Sequence, residues 1–361
     1  MKSTIKIHFK GLNGIRAIAS LSVVFSHIGI YLDLFNLPAR PSIELAGYGV
    51  SMFFSLSGFL ITYLLLAEKN KFGDINIRKF YIRRILRIWP LYYFYLIVAV
   101  IVILVFYREA FNKNLLVYFF LSANIPLILN ITTPFIFHYW SLGVEEQFYI
   151  FWPWIIKKTK KPVRFIFLLI IVLMGLKFIA WIYYIKTGNS TPQSIIHITR
   201  FHCMGMGALG AIFFYQNNQL FLNFTKSLSA QLIAWGSILL MVVGKFNIAS
   251  LINDEIVSAL TVVLIINLSS NPKTIINLNY KLFDYLGKIS FGIYIYHPLI
   301  IFATAKFFNS FIKGMGVYYK YVFIYTTTSL LTIIVAGLSY GCFEKRFLLL
   351  KEKYSPVPSL A

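Results

Sequence analysis

RKFYIRRILRIWPLYYFYLIVAVIVILVFY, residues 78–107, decides the fold. Five cationic side chains, Arg78, Lys79, Arg83, Arg84 and Arg87, crowd its first ten residues, and residues 88–107 carry no charge at all. An uncharged apolar stretch of that length crosses the hydrocarbon core of a bilayer as one helix. A cationic cluster abutting such a stretch marks its cytoplasmic end.

The whole chain repeats that pattern. Of its 361 residues 58% are hydrophobic and only 13% charged, whereas soluble domains carry roughly a quarter charged residues. Disorder is excluded by the same figures. The excess of 34 Lys and Arg over 12 Asp and Glu would point to nucleic acid in a soluble protein. In a membrane protein the excess belongs to the inner loops, so no nucleic-acid partner is expected; membrane lipid is. Cys203 and Cys342 have neither the number nor the spacing for a metal site or a disulfide framework, and no metal is expected.

Ten stretches have the length and composition of spans: 11–32, 46–67, 89–107, 138–156, 164–185, 201–216, 230–247, 251–269, 286–308 and 319–342. The expected fold is therefore all-α, a single polytopic bundle filling residues 1–361. Residues 115–129 are a shorter apolar run interrupted by Asn124 and Pro126. If that run does not cross, the inner loops and both termini collect 22 Lys and Arg against eight in the outer loops, including Arg40. Counting it as a span would push KKTKK, residues 157–161, outside, against the positive-inside rule. Both ends are thus expected in the cytoplasm, with 108–137 an outer or re-entrant segment and 343–361 a cytoplasmic tail. The N-terminal segment superficially resembles a secretory signal, but Arg16 and His27 interrupt its apolar run and it reads better as the first span.

Ionisable groups inside spans carry the functional information, because an unpaired charge there costs at least a few kcal/mol. Arg16 and His27 are eleven residues apart, about three helical turns, on nearly one face at different depths. Histidine titrates near neutrality, which suits His27 to general-base chemistry; a plain packing role for both residues is the alternative. In HYWSLGVEEQFYIFWPW, residues 138–154, the aromatics read as an interfacial belt. That belt leaves Glu145 unexplained, and Ser141 shares its helix face. Arg84 and Arg87, three apart, present planar forks suited to the phosphates of a nucleotide-like donor, or alternatively anchor lipid headgroups. Gly47, Gly49 and Gly58, with Ser51, Ser55 and Ser57, are spaced for close helix packing. In LGKISFGIYIYHPLI, residues 286–300, Tyr294 and His297 can share a face, lining a polar cavity or joining an internal network. Pro298 beside them frees a backbone carbonyl.

Six ordered segments together resemble the bacterial membrane acyltransferase 3 family. They are GLNGIRAIASLSVVFSH (11–27), GVSMFFSLSGFLIT (49–62), RRILRIWPLYY (83–93), HYWSLGVEEQFYIFWPW (138–154), GKISFGIYIYHPLI (287–300) and FEKRF (343–347). The resemblance implies about ten spans in the bacterial inner membrane. It also implies a cytoplasmic acyl-CoA co-substrate, usually acetyl-CoA, and an acceptor hydroxyl on an envelope glycan or lipid-linked saccharide such as lipopolysaccharide O-antigen. Carried over by position, His27 is the catalytic histidine and Arg16 its motif partner. Arg84 and Arg87 are the cytoplasmic pair, Glu145 is the motif acid, and Tyr294 and His297 belong to a late motif. Many relatives add an extracytoplasmic hydrolase-like domain, and a chain ending at Ala361 corresponds to the form without one.

The chemistry is compatible with that expectation. A sugar hydroxyl needs a base to take its proton and a dry polar site for the developing oxyanion. His27 can serve as that base or as an acyl-carrying nucleophile. On this reading the donor's phosphates meet Arg84 and Arg87 while its thioester enters a cavity between Arg16 and His27. The competing reading is a transporter or flippase of a lipid-linked sugar, because intramembrane Arg, His and Glu also line substrate paths.

Overall fold

A computed structural model describes residues 7–9, 11–38, 44–131, 133–248, 251–355 and 359–360. Lys2, Lys6, Lys10 and Arg40, which entered the charge balance, lie outside the described residues, as does the C-terminal Ala361. Sixteen α-helices are described. The first three are long: α1 (Leu12–Ile30), α2 (Leu45–Phe72) and α3 (Ile77–Phe106). Two short ones follow, α4 (Leu116–Phe119) and α5 (Asn124–Ile128). The middle of the chain forms α6 (Trp140–Lys158), α7 (Pro162–Thr187), α8 (Thr191–Thr199), α9 (Phe201–Tyr215), α10 (Gln219–Lys226) and α11 (Leu228–Val242). The rest forms α12 (Asn253–Ser270), α13 (Lys281–Lys288), α14 (Ser290–Ile312), α15 (Val317–Ser339) and α16 (Lys345–Glu352). The described strands are Ile7–His8 and Ser359–Leu360, paired in parallel.

Each of the ten expected spans falls on a helix. Among the described residues eight helices are long and apolar enough to cross a membrane. The bent pair α10 and α11 makes a ninth. Its 54° bend lies at Ser227, which ends α10 in extended conformation and caps α11 by accepting from the Ala230 N–H. The tenth, α6, has the length of 19 residues but carries Glu145 and Glu146, which lower its hydropathy below that of a simple span. Helix α3 starts well before its apolar run, at Ile77. Asn76 caps α3 by accepting from the Lys79 N–H, so the arginine cluster is helical and continuous with the span. Between Tyr107 and Tyr139 no described helix exceeds five residues, too short to cross.

The bundle is built for lipid. Only 22% of the apolar stretch of α7 and 39% of that of α3 is buried, against 72% of α12, so α7 and α3 form the rim and α12 the interior. The closest helix pair is α2 against α9. A Cβ on Gly58 would collide with the Met204 backbone, and one on Gly207 with the Ser55 backbone, so glycine on each helix admits the other. That contact matches the small-residue packing read from the sequence.

After α15 the helix widens through a five-residue π segment, Tyr340–Glu344, before α16. The helix runs on through it, and α16 packs beside α3.

Candidate active site

α1, α2, α3, α6 and α14 enclose a chamber of about 130 Å³ at the arginine-rich end of the bundle. It adjoins a second space of about 430 Å³, and Phe9, Arg16, Arg87, Phe291 and Lys351 line both. Helical periodicity sorts the arginine cluster. Arg84 and Arg87, three residues apart, face the chamber. Arg83, one position round the helix, turns away to pair with Glu68 at 3.1 Å and to donate to the Tyr354 carbonyl at 3.0 Å. Arg16 enters from α1, steadied by a 2.8 Å bond from its Nη1 to Asn13 Oδ1. Lys351 enters from α16.

Among the described residues none of Arg16, Arg84, Arg87 and Lys351 has a carboxylate within ion-pair distance. Arg84 stacks over the rings of Phe80 and Tyr149, and its Nε is buried without a hydrogen-bond partner. Buried N–H groups are rarely left so, and Arg84 lines the chamber together with Arg16, Arg87 and Lys351.

The two adjacent carboxylates part company. Glu145 faces the chamber, where its Oε1 accepts from Ser57 Oγ at 2.8 Å and its Oε2 from Tyr149 Oη at 3.1 Å. Glu146, one position round α6, accepts from Trp89 Nε1 of α3. Glu145 is therefore held by hydroxyls, with no histidine among its hydrogen-bond partners.

Ser141 and Tyr294 close the inner wall of the chamber. Their hydroxyls lie 2.6 Å apart, and Tyr294 also donates to the His138 carbonyl at 2.7 Å. Behind that wall stand the histidines. The ring centroid of His297 is 6.0 Å from that of Tyr294, and the His27 ring meets that of His297 end to end, with centroids 4.9 Å apart and planes 26° apart. His27 Nδ1 and His297 Nε2 are 2.7 Å apart. His27 does not line either space, so the chamber reaches from Arg16 to Tyr294 and stops two ring contacts short of it. The cavity expected between Arg16 and His27 is thus divided by Tyr294. Of the late motif, Tyr294 lines the cavity and His297 joins the internal network.

Three contributors were not singled out in the sequence. Tyr149 was read as part of an aromatic belt, although its position four after Glu145 and eight after Ser141 places it on their face. His138 sits at 0% exposure between Tyr294 and His297, with ring centroids 5.4 and 5.1 Å away. Lys351 belongs to the C-terminal tail in the sequence, and it lines the chamber because α16 packs beside α3.

An acyltransferase domain family, acyltransferase 3, matches residues 9–341. The O-acetyltransferase OatA of Staphylococcus aureus (strain NCTC 8325 / PS 47) is 25% identical over 93% of this chain and 57% of its own length. A second S. aureus protein (strain COL), named "Putative O-acetyltransferase SACOL0978", is 29% identical over 94% of this chain and 57% of its own. The chain thus spans little more than half the length of these relatives. No solved structure matches. With the match covering nearly all of the helical bundle and the arginine chamber within it, the chain belongs to the acyltransferase 3 family of multi-pass membrane proteins.

Proposed function

We propose that the chain is a membrane O-acyltransferase. It takes an acyl group, acetyl first among candidates, from a cytoplasmic coenzyme A thioester and delivers it to a sugar hydroxyl of a cell-envelope polysaccharide such as lipopolysaccharide O-antigen. One observation carries the reading: Arg16, Arg84, Arg87 and Lys351 converge on one chamber with no carboxylate paired to them among the described residues. Clustered cations in a bundle are costly until an anion completes them, and the phosphates of an acyl-CoA supply that anion. The name of the OatA relative favours acetyl and oxygen.

The thioester points towards Ser141 and Tyr294; with that wall closed the Tyr294 hydroxyl donates to the His138 carbonyl and the Ser141 hydroxyl to Tyr294, so a donor for the developing oxyanion is freed only when the wall opens. Displacement of Tyr294 joins the chamber to His27. As the acceptor oxygen bonds to the acyl carbon, His27 takes the hydroxyl proton. The C–S bond then breaks, and the thiolate leaves to be protonated as free coenzyme A. If the acyl group instead rests on His27 between two half-reactions, the same imidazole lone pair is used.

Mass spectrometry of envelope glycans from cells with and without the chain tests this directly, with a His27→Ala variant alongside. An acetyl mass gained only with the wild-type chain is the expected result and identifies the acceptor. Unchanged glycan mass, with lipid-linked sugars accumulating on one side of the membrane, would overturn it in favour of transport.

A further inference from the structure

The proposed function needs a lone pair on His27 but leaves open which ring nitrogen bears it. The backbone of α14 decides. In an α-helix the N–H of residue 298 would bond the carbonyl of residue 294. Pro298 has no N–H, so the Tyr294 carbonyl is released from the helical ladder. His297 Nδ1 takes its place, 2.7 Å from that oxygen. A carbonyl oxygen only accepts, so His297 carries its proton on Nδ1.

His297 is at 0% exposure, and neither it nor His27 has a carboxylate within ion-pair distance among the described residues. A second proton there would bury an uncompensated charge at a cost of several kcal/mol. His297 is therefore neutral, and its Nε2 is an acceptor facing His27 Nδ1 at 2.7 Å. Only a protonated His27 Nδ1 completes that contact.

We infer that Pro298, the Tyr294 carbonyl and His297 form a tautomer lock that puts the proton of His27 on Nδ1 and leaves Nε2 as its basic nitrogen. His297 is then a positioning residue: it holds the ring of His27 and fixes its tautomer without meeting the reacting atoms. Carboxylates commonly take this place behind a catalytic histidine, as in serine proteases. Here a neutral imidazole does so, and it brings no buried charge into the bundle. The inference rests on the proposed role of His27, but the lock itself is open to test without any turnover.

The decisive experiment is ¹⁵N solid-state NMR of the full chain, labelled at histidine and reconstituted in lipid bilayers, with His27 assigned by loss of its signals in His27→Gln. The expected spectrum has a protonated Nδ1 and an unprotonated Nε2 for His27. In Pro298→Ala, where the restored N–H competes for the Tyr294 carbonyl, this preference should weaken. A proton on Nε2 of His27 in the wild-type chain overturns the lock, whatever the enzyme acylates. Turnover supplies a second readout. His297→Gln keeps an acceptor oxygen near the old Nε2 position and should hold kcat within about tenfold of wild type, while His297→Leu should lose roughly a hundredfold or more. Wild-type kcat in His297→Leu overturns the positioning role. A wild-type chain that transfers no acyl group would instead sink the proposed function, with the NMR result still deciding the lock.

Discussion

Two groups of charges in this bundle are built on opposite plans. In the chamber, Arg16, Arg84, Arg87 and Lys351 face open space without an ion-paired carboxylate among the described residues. In the second group, where α7, α8, α9 and α12 meet, each charge has an opposite one in contact. Lys177 Nζ lies 2.7 Å and His202 Nε2 2.8 Å from Glu255 Oε1, and Arg200 Nη1 lies 2.9 Å from Asp254 Oδ1. Arg200 also donates to Gly47 O and Ser51 Oγ, which ties α2 into the group. It does so from a left-handed backbone, φ 44°, where a non-glycine residue is strained by about 1–3 kcal/mol. Neither described cavity reaches this group. Charge that is paired and closed holds helices together, whereas charge left bare around a cavity awaits a ligand.

The largest effect should come from His27, behind the chamber. His27→Ala should cut acyl transfer roughly 10²–10⁴-fold with the protein still inserted, as measured by turnover in reconstituted membranes. Full activity would remove it from the chemistry. Next comes the paired group: Glu255→Ala strands Lys177 and His202 and should cost about 3–5 kcal/mol of stability in denaturation experiments. Replacing the pair together, Lys177→Met with Glu255→Leu, removes one of the two stranded cations and should recover part of that loss, and a double variant no more stable than Glu255→Ala would contradict a merely structural role. Arg84→Ala or Arg87→Ala should behave in the reverse sense. The loss of a charge-assisted phosphate contact, about 1.5–3 kcal/mol, should raise KM for acetyl-CoA tenfold or more while the thermal midpoint holds or rises. The smallest effect belongs to an exposed pair, Asp74 with Lys157 at 2.6 Å. The hydrogen bond from Lys157 holds the Asp74 carboxyl below its usual value, so any contribution is present at neutral pH and fades as acid protonates Asp74. Water and salt screen such a pair, and Asp74→Asn should leave thermal unfolding unchanged at neutral pH.

Local sequence carried much of this account and could not carry the rest. The spans were legible because lipid demands unbroken apolar length, and the division of Arg83 from Arg84 and Arg87 follows from helical spacing. Pro298 announced a freed carbonyl. What it could not announce was the occupant, because His297 meets His27 across 270 residues of chain. The Lys177–Glu255 pair, 78 residues apart, was hidden for the same reason. The split of Glu145 from Glu146 needed the neighbouring helices, since Ser57 of α2 claims the first and Trp89 of α3 the second. Lys351 lines the chamber because α16 packs beside α3, a contact between helices far apart in the sequence.

Binding of acetyl-CoA to the purified full chain in lipid nanodiscs, followed by calorimetry, tests the bare chamber most directly. Wild type and the Lys177→Met, Glu255→Leu double variant should bind alike, while Arg84→Ala with Arg87→Ala should weaken Kd tenfold or more. Equal binding by the arginine variant and wild type would contradict the assignment of the chamber to the acyl donor.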